Sequence, residues 1–169
     1  IKADPDRYEK LNIFTDILII GGGPAGLNTA KEMASSGKKI TLVDENNSFG
    51  GSLPEEPGTI DGRTPYNWIS ETLNSLSKYQ NIKMLTRTTV YGYFDGNTLG
   101  AVERVADHKA IPENNEPRQR HLKIFAEQVI IATGSIERPL VFDRNDKPGI
   151  MLASAALKYA NRYGVAVGK

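Results

Sequence analysis

The hexapeptide Gly21-Gly22-Gly23-Pro24-Ala25-Gly26 constrains this chain more than any other stretch. It fits G-x-G-x-x-G and stands between the apolar run Ile17-Leu18-Ile19-Ile20 and a segment in which Leu27, Ala30, Met33 and Ala34 recur at helical spacing. Such a continuous run, opened by Asp16, is what a strand buried on both faces of a parallel sheet shows. Pro24 falls on the first helical position, where a missing N–H costs nothing. The helix is expected to run to about Ser36. Gly37 suits the left-handed position after it, and Lys38 and Lys39 set positive charge beside the negative end of the helix dipole. Ile40-Thr41-Leu42-Val43 reads as a second buried strand, so a right-handed β-α-β unit closes within about thirty residues.

Each glycine has a separate task in a dinucleotide site. Gly21 permits the tight turn, Gly23 lets the backbone approach a pyrophosphate, and Gly26 lets helix and strand pack closely. The diphosphate then rests on the helix N-terminus over Pro24 and Ala25, where unpaired N–H groups and the positive dipole end favour negative charge. Asp44 ends the second strand eighteen residues beyond Gly26, where a carboxylate can accept from a ribose hydroxyl. Glu45 can share that role, although the offset favours Asp44. An acid at this place opposes a 2′-phosphate, which favours NAD or FAD over NADP.

The remaining pattern is that of an α/β chain, a Rossmann-like parallel sheet with an inserted small antiparallel β-meander. Residues 1–15 show no clear period and read as an arm. Residues 16–151 read as the dinucleotide-binding domain, with a second helix from Tyr66 to about Lys78, a third strand at Ile82–Leu85 and the meander at about 88–126, where the period changes to two. The turn Asp95-Gly96-Asn97 breaks the meander, and Ala110–Arg120 reads as an exposed loop. Val129-Ile130-Ile131-Ala132 reads as a further, separate strand. Residues 152–169 read as a last helix, to about Arg162, and the start of a connection to a following domain outside this chain.

Composition removes several function classes. Lys and Arg total 21 against 20 Asp and Glu, a net charge of +1 that points to no nucleic-acid or membrane-surface partner. The sequence has no long apolar span and no secretion leader, so a cytoplasmic location is expected. Zero cysteines exclude dithiol chemistry and thiolate metal sites within the chain. His108 and His121 are isolated from any triad or ligand spacing, and no metal site is expected. Arg118 and Arg120 read as solvated loop charges, and Trp68 as core.

Two further motifs go beyond a plain dehydrogenase fold. Phe49-Gly50-Gly51-Ser52-Leu53 follows the second strand, and Ala132-Thr133-Gly134 ends the strand after the meander. With the first fingerprint they resemble the two-dinucleotide-binding-domain flavoproteins, in which such a glycine pair and Ala-Thr-Gly turn bring backbone close to a nucleotide. The resemblance marks Gly50, Gly51, Ser52, Thr133 and Gly134 as cofactor-binding candidates beside Gly21, Gly23, Pro24, Ala25, Gly26, Asp44 and Glu45.

Longer stretches narrow this resemblance. Thr88-Thr89-Val90-Tyr91-Gly92-Tyr93-Phe94-Asp95, Pro117-Arg118-Gln119-Arg120, Ser135 to Phe142, Asn145 to Met151 and Asn161 to Val165 are similar to the α subunits of heterotetrameric sarcosine oxidases. That resemblance implies a complex that oxidises sarcosine, passes the methyl carbon to tetrahydrofolate and reduces oxygen to peroxide. It also implies an α subunit that holds NAD, with the flavins on or with other chains, and partners that are the other subunits of the heterotetramer. Two alternatives stand beside it: an FAD-binding domain of a related opine, proline or amine dehydrogenase, and a nucleotide-binding scaffold. No acid–base pair or nucleophile lies near the fingerprint, so no catalytic residue is assigned and the piece alone is expected to be inactive.

Overall fold

The apolar run Ile17–Ile20 is the inner end of a thirteen-residue strand, β1 (Tyr8–Ile20), in a computed structural model that describes residues 3–113 and 115–168. The chain then forms α1 (Pro24–Met33), β2 (Ile40–Val43), α2 (Pro65–Leu76), β3 (Ile82–Leu85), β4 (Thr88–Phe94), β5 (Thr98–Glu103), β6 (Gln119–Ile131) and α3 (Ala153–Leu157). Pro24 takes the first turn of α1, a 3₁₀ turn at Ala34–Ser36 extends it, and Gly37 at φ 74° stops it as the sequence requires. The Thr64 side chain accepts from the Asn67 N–H at 3.3 Å and caps α2.

All six strands join one sheet in the order β3-β2-β1-β6-β5-β4. β1 runs parallel to β2 and β6, and β3 parallel to β2, while β5 and β4 are antiparallel additions beyond β6. The sheet buries both faces of its parallel end. On one side Ile17, Ile19 and Leu42 pack with Leu27 and Ala30 of α1 and Trp68 and Leu76 of α2. On the other, Leu18 and Val43 share a cluster with Ile13, Leu99, Ala101, Leu122 and Ile124. Ile13 and Leu18 have opposite parity, so the inward face of β1 must switch between them. A bulge does this: the N–H groups of Asp16 and Ile17 both donate to the Lys39 carbonyl at 3.0 Å. The meander thereby folds across the far side of the parallel strands, where each fully buried Leu or Ile contributes about 1.5–3 kcal/mol.

Three expectations are corrected. Residues 8–15 are strand rather than arm, pairing with β6 from Tyr8↔Gln119 to Thr15↔Ala126. Their charges hide the period because they have partners: Arg120 holds Glu9 at 2.8 Å and Glu103 at 3.3 Å. The meander and the strand expected at Val129–Ala132 are one continuous β6, joined through Ala126, Glu127 and Gln128. Arg118 is not a solvated loop charge. Its guanidinium grips both Asp6 carboxylate oxygens, at 2.8 and 3.0 Å, and donates to the Ala106 and Lys109 carbonyls at 2.8 and 2.7 Å. Asp6 holds this guanidinium above the usual arginine value, mainly through that hydrogen bond.

Candidate functional site

Where β1, β2 and β6 end, a cavity of about 780 Å³ opens, within the range of small-molecule and cofactor pockets. Strand ends of a parallel sheet are the place for it, because loops diverge there and helix N-termini point inward. The turn after β1 is fixed by the Gly21 N–H donating to the Val43 carbonyl and the Ala132 N–H to the Ile20 carbonyl, both 2.8 Å.

The glycines divide into two kinds. A Cβ on Gly21, which holds φ 104°, would lie 2.3 Å from the Ala132 carbonyl oxygen, and one on Gly26 would lie 1.9 Å from the Gly21 carbonyl oxygen. Both are required by the protein's own backbone contacts. A Cβ on Gly23 would meet nothing nearer than the Gly51 Cα at 3.9 Å, so the space above it is open. That is the place where a bound phosphate needs close approach to backbone, and α1 begins there with no capping side chain and no acid in its first turn. The residues present therefore fit a dinucleotide.

Asp44 is buried at 6% exposure, with both carboxylate oxygens engaged. Oδ2 accepts from the Gly22 N–H at 2.6 Å, and Oδ1 accepts from the Asn46 N–H at 2.8 Å and its carboxamide at 3.0 Å. A carboxylate offers about four lone-pair directions, which leaves capacity for a ribose hydroxyl. Asp44 thus ties the glycine turn to the end of β2 and stands on the cavity wall. Glu45 also lines the cavity, through an exposed side chain.

Ten of the twelve residues singled out from sequence line this cavity: Gly21, Gly23, Pro24, Ala25, Asp44, Glu45, Gly51, Ser52, Thr133 and Gly134. Gly26 and Gly50 stand behind it. A Cβ on Gly50 would lie 2.6 Å from the Ile69 side chain, and the Gly50 N–H donates to the Gly22 carbonyl at 2.8 Å, locking the glycine pair under the turn. Sequence reasoning missed Asn46, Thr88, Thr89, Val90, Ser135, Ile136 and Arg138 on the wall. At Thr88–Val90 the backbone is what matters. The Thr88 N–H turns away from β5 to donate to the Asp44 carbonyl at 2.8 Å, so by the two-residue period the main-chain groups of Val90 face the same way. A donor and acceptor side by side can read an adenine edge, and no side-chain motif announces them. Among the described residues no cluster of His, Cys, Asp and Glu can hold a metal ion.

Residues 15–162 match the family model described as pyridine nucleotide-disulphide oxidoreductase. The α subunit of sarcosine oxidase from Rhizobium meliloti (strain 1021) is 45% identical over 168 residues, covering 99% of this chain and 17% of the relative. An opine oxidase subunit of Agrobacterium tumefaciens (strain Ach5) is 31% identical over 157 residues, 86% of this chain and 29% of that protein. The crystal structure of L-proline dehydrogenase from P. horikoshii superposes with a TM-score of 0.74 at 26% identity, covering 95% of this chain and 31% of that one. The chain therefore spans about a sixth of the length of the sarcosine oxidase relative. With the glycine turn, Asp44 and the Thr133-Gly134 crossing gathered around one cavity, and with the family model matching from the end of β1 through α3, this chain belongs to the pyridine nucleotide-disulphide oxidoreductase family.

Proposed function

We propose that this chain is the NAD-binding domain of the α subunit of a flavin-dependent sarcosine oxidase complex. The complex demethylates sarcosine to glycine, passes the methyl carbon to tetrahydrofolate and reduces oxygen to hydrogen peroxide. The observation that carries the nucleotide part is the open space over Gly23 beside the buried carboxylate of Asp44. The similarity to the α subunits of sarcosine oxidases supports the rest. The partners are the other subunits of the heterotetramer, with flavins on or with those chains. A cytoplasmic location goes with this reading; no helix among the described residues is long and apolar enough to cross a membrane.

In this reading Gly23 and the α1 terminus receive the diphosphate over the turn that Gly21 permits, Asp44 accepts from the adenosine ribose, and Val90 offers its backbone to the base. Gly51, Ser52, Thr133 and Gly134 close the walls. NAD, when bound, supplies a nicotinamide able to exchange hydride, and every residue named here binds or orients. FAD is the second reading, because these contacts address only the ADP half that both cofactors share.

Calorimetric titration of the native protein, stripped of nucleotide, separates the readings. NAD is expected to bind about tenfold or more tightly than NADP, since a 2′-phosphate would be forced against the Asp44 carboxylate. Saturation by FAD with no NAD affinity would favour the second reading, and equal NAD and NADP affinities would remove Asp44 from the ribose.

A further inference from the structure

Charge on the cavity wall is unevenly supplied. Asp44 and Glu45 bring two carboxylates, whereas Arg138 is the one basic side chain among the described residues lining it. The α1 terminus offers about half an elementary charge, too little to offset these acids and a diphosphate together. A cationic side chain on such walls adds directly to the hold on an anionic ligand.

Arg138 is placed for this. The chain leaves β6 at Ile131, and Ser135, Ile136 and Arg138 return along the cavity wall. Glu137 between them is tied elsewhere: its carboxylate accepts from the Ser154 N–H at 2.8 Å at the start of α3. Bonding to Ser154, first through the side chain and then the backbone, holds the Glu137 carboxyl below its ordinary 4.5. Anchoring that residue fixes the stretch on either side of it. Pro139 restricts Arg138 further, since a residue before proline is held to extended backbone. Unlike Arg118 and Arg120, whose guanidinium groups are taken up by Asp6, Glu9 and Glu103, Arg138 has no hydrogen bond or ion pair among the described residues.

We propose that Arg138 is the diphosphate clamp of this cavity, its planar guanidinium donating to phosphate oxygens of the group that the α1 terminus receives. The inference rests on the nucleotide-binding reading and deepens it by assigning the residue that selects a phosphorylated ligand over a bare nucleoside.

The test compares adenosine, ADP and NAD on the native protein, stripped of nucleotide, as wild type, Arg138→Ala and Arg138→Lys. Arg138→Ala is expected to lower ADP and NAD affinity about ten- to a hundredfold while adenosine changes by less than about twofold. Arg138→Lys should recover part of the loss, because it keeps the charge without the fork, and ADP binding should depend less on salt in the Ala variant. Unchanged ADP affinity in Arg138→Ala, with wild type binding normally, would overturn the clamp alone. Parallel loss of adenosine would also overturn it, placing the guanidinium on the base. If wild type binds none of the three ligands, the nucleotide reading itself fails and the clamp with it.

Discussion

The two ends of the sheet are stabilised differently. At the parallel end, β1, β2 and β3 bury apolar residues on both faces, and helix and strand approach so closely at Gly26 that a methyl group has no room. Beyond them, the region formed by the outer half of β1, β6 and the antiparallel meander buries one face only. Its outer face carries Phe14 stacked on Phe125 with centroids 5.0 Å apart, Lys123 over the Phe125 ring, and Tyr91 hydrogen-bonded to His121. Charge pairs lie across that region, with Arg118 on Asp6 and Arg120 bridging Glu9 of β1 and Glu103 of β5. The cavity lies where the parallel strands end. A ligand that must reach main-chain N–H groups needs a place where backbone is exposed but rigid, and close packing beneath the glycine turn supplies it.

This contrast gives its largest expected effect at Gly26. Gly26→Ala sets a Cβ against the Gly21 carbonyl oxygen, and a loss of about 3 kcal/mol is expected, at the upper end of overpacking penalties. Urea denaturation measures it; an unchanged midpoint would mean that helix and strand can separate freely, and the contrast would break. A smaller and local effect is expected at the other end. Arg118→Met removes the grip on Asp6 and the two carbonyls, but part-exposed ion pairs contribute modestly. Its midpoint should fall less than that of Gly26→Ala. Amide exchange should rise at Tyr8–Ile13 and 104–118 while Ile17–Ile20 stays protected. Exchange rising equally along the whole of β1 would show that the two ends open as one unit.

The same contrast explains what could be read from the sequence. Ile17–Ile20, Ile40–Val43 and the glycine turn are local signals, since burial on both faces leaves a continuous apolar run and the turn needs residues without side chains. The outer half of β1 is illegible for the opposite reason. Glu9 and Lys10 break any apolar period, and of the two arginines that pair with Glu9 the one that ties it to β6, Arg120, lies 111 residues away. Likewise Glu127 and Gln128 interrupt the apolar pattern of β6 without interrupting the strand. At the cavity, side-chain-free glycines and Asp44 are legible, because their chemistry demands those residue types at fixed spacing. Thr88–Val90 are not, because their contribution is main-chain. Arg138 resembles any other loop arginine until the cavity wall shows that it stands alone there.

On this account the open space above Gly23 holds the diphosphate of a dinucleotide, while Gly21 and Gly26 serve the fold. Mass spectrometry of the nucleotide released on denaturing natively purified protein, wild type beside Gly23→Val, tests it most directly. The valine side chain meets no protein atom at its Cβ nearer than 3.9 Å, so the variant should fold with a little-changed urea midpoint. About one NAD per wild-type chain is expected, and essentially none from the folded variant. A folded Gly23→Val protein that releases as much nucleotide as wild type, or a wild type that releases no adenine dinucleotide, would contradict it.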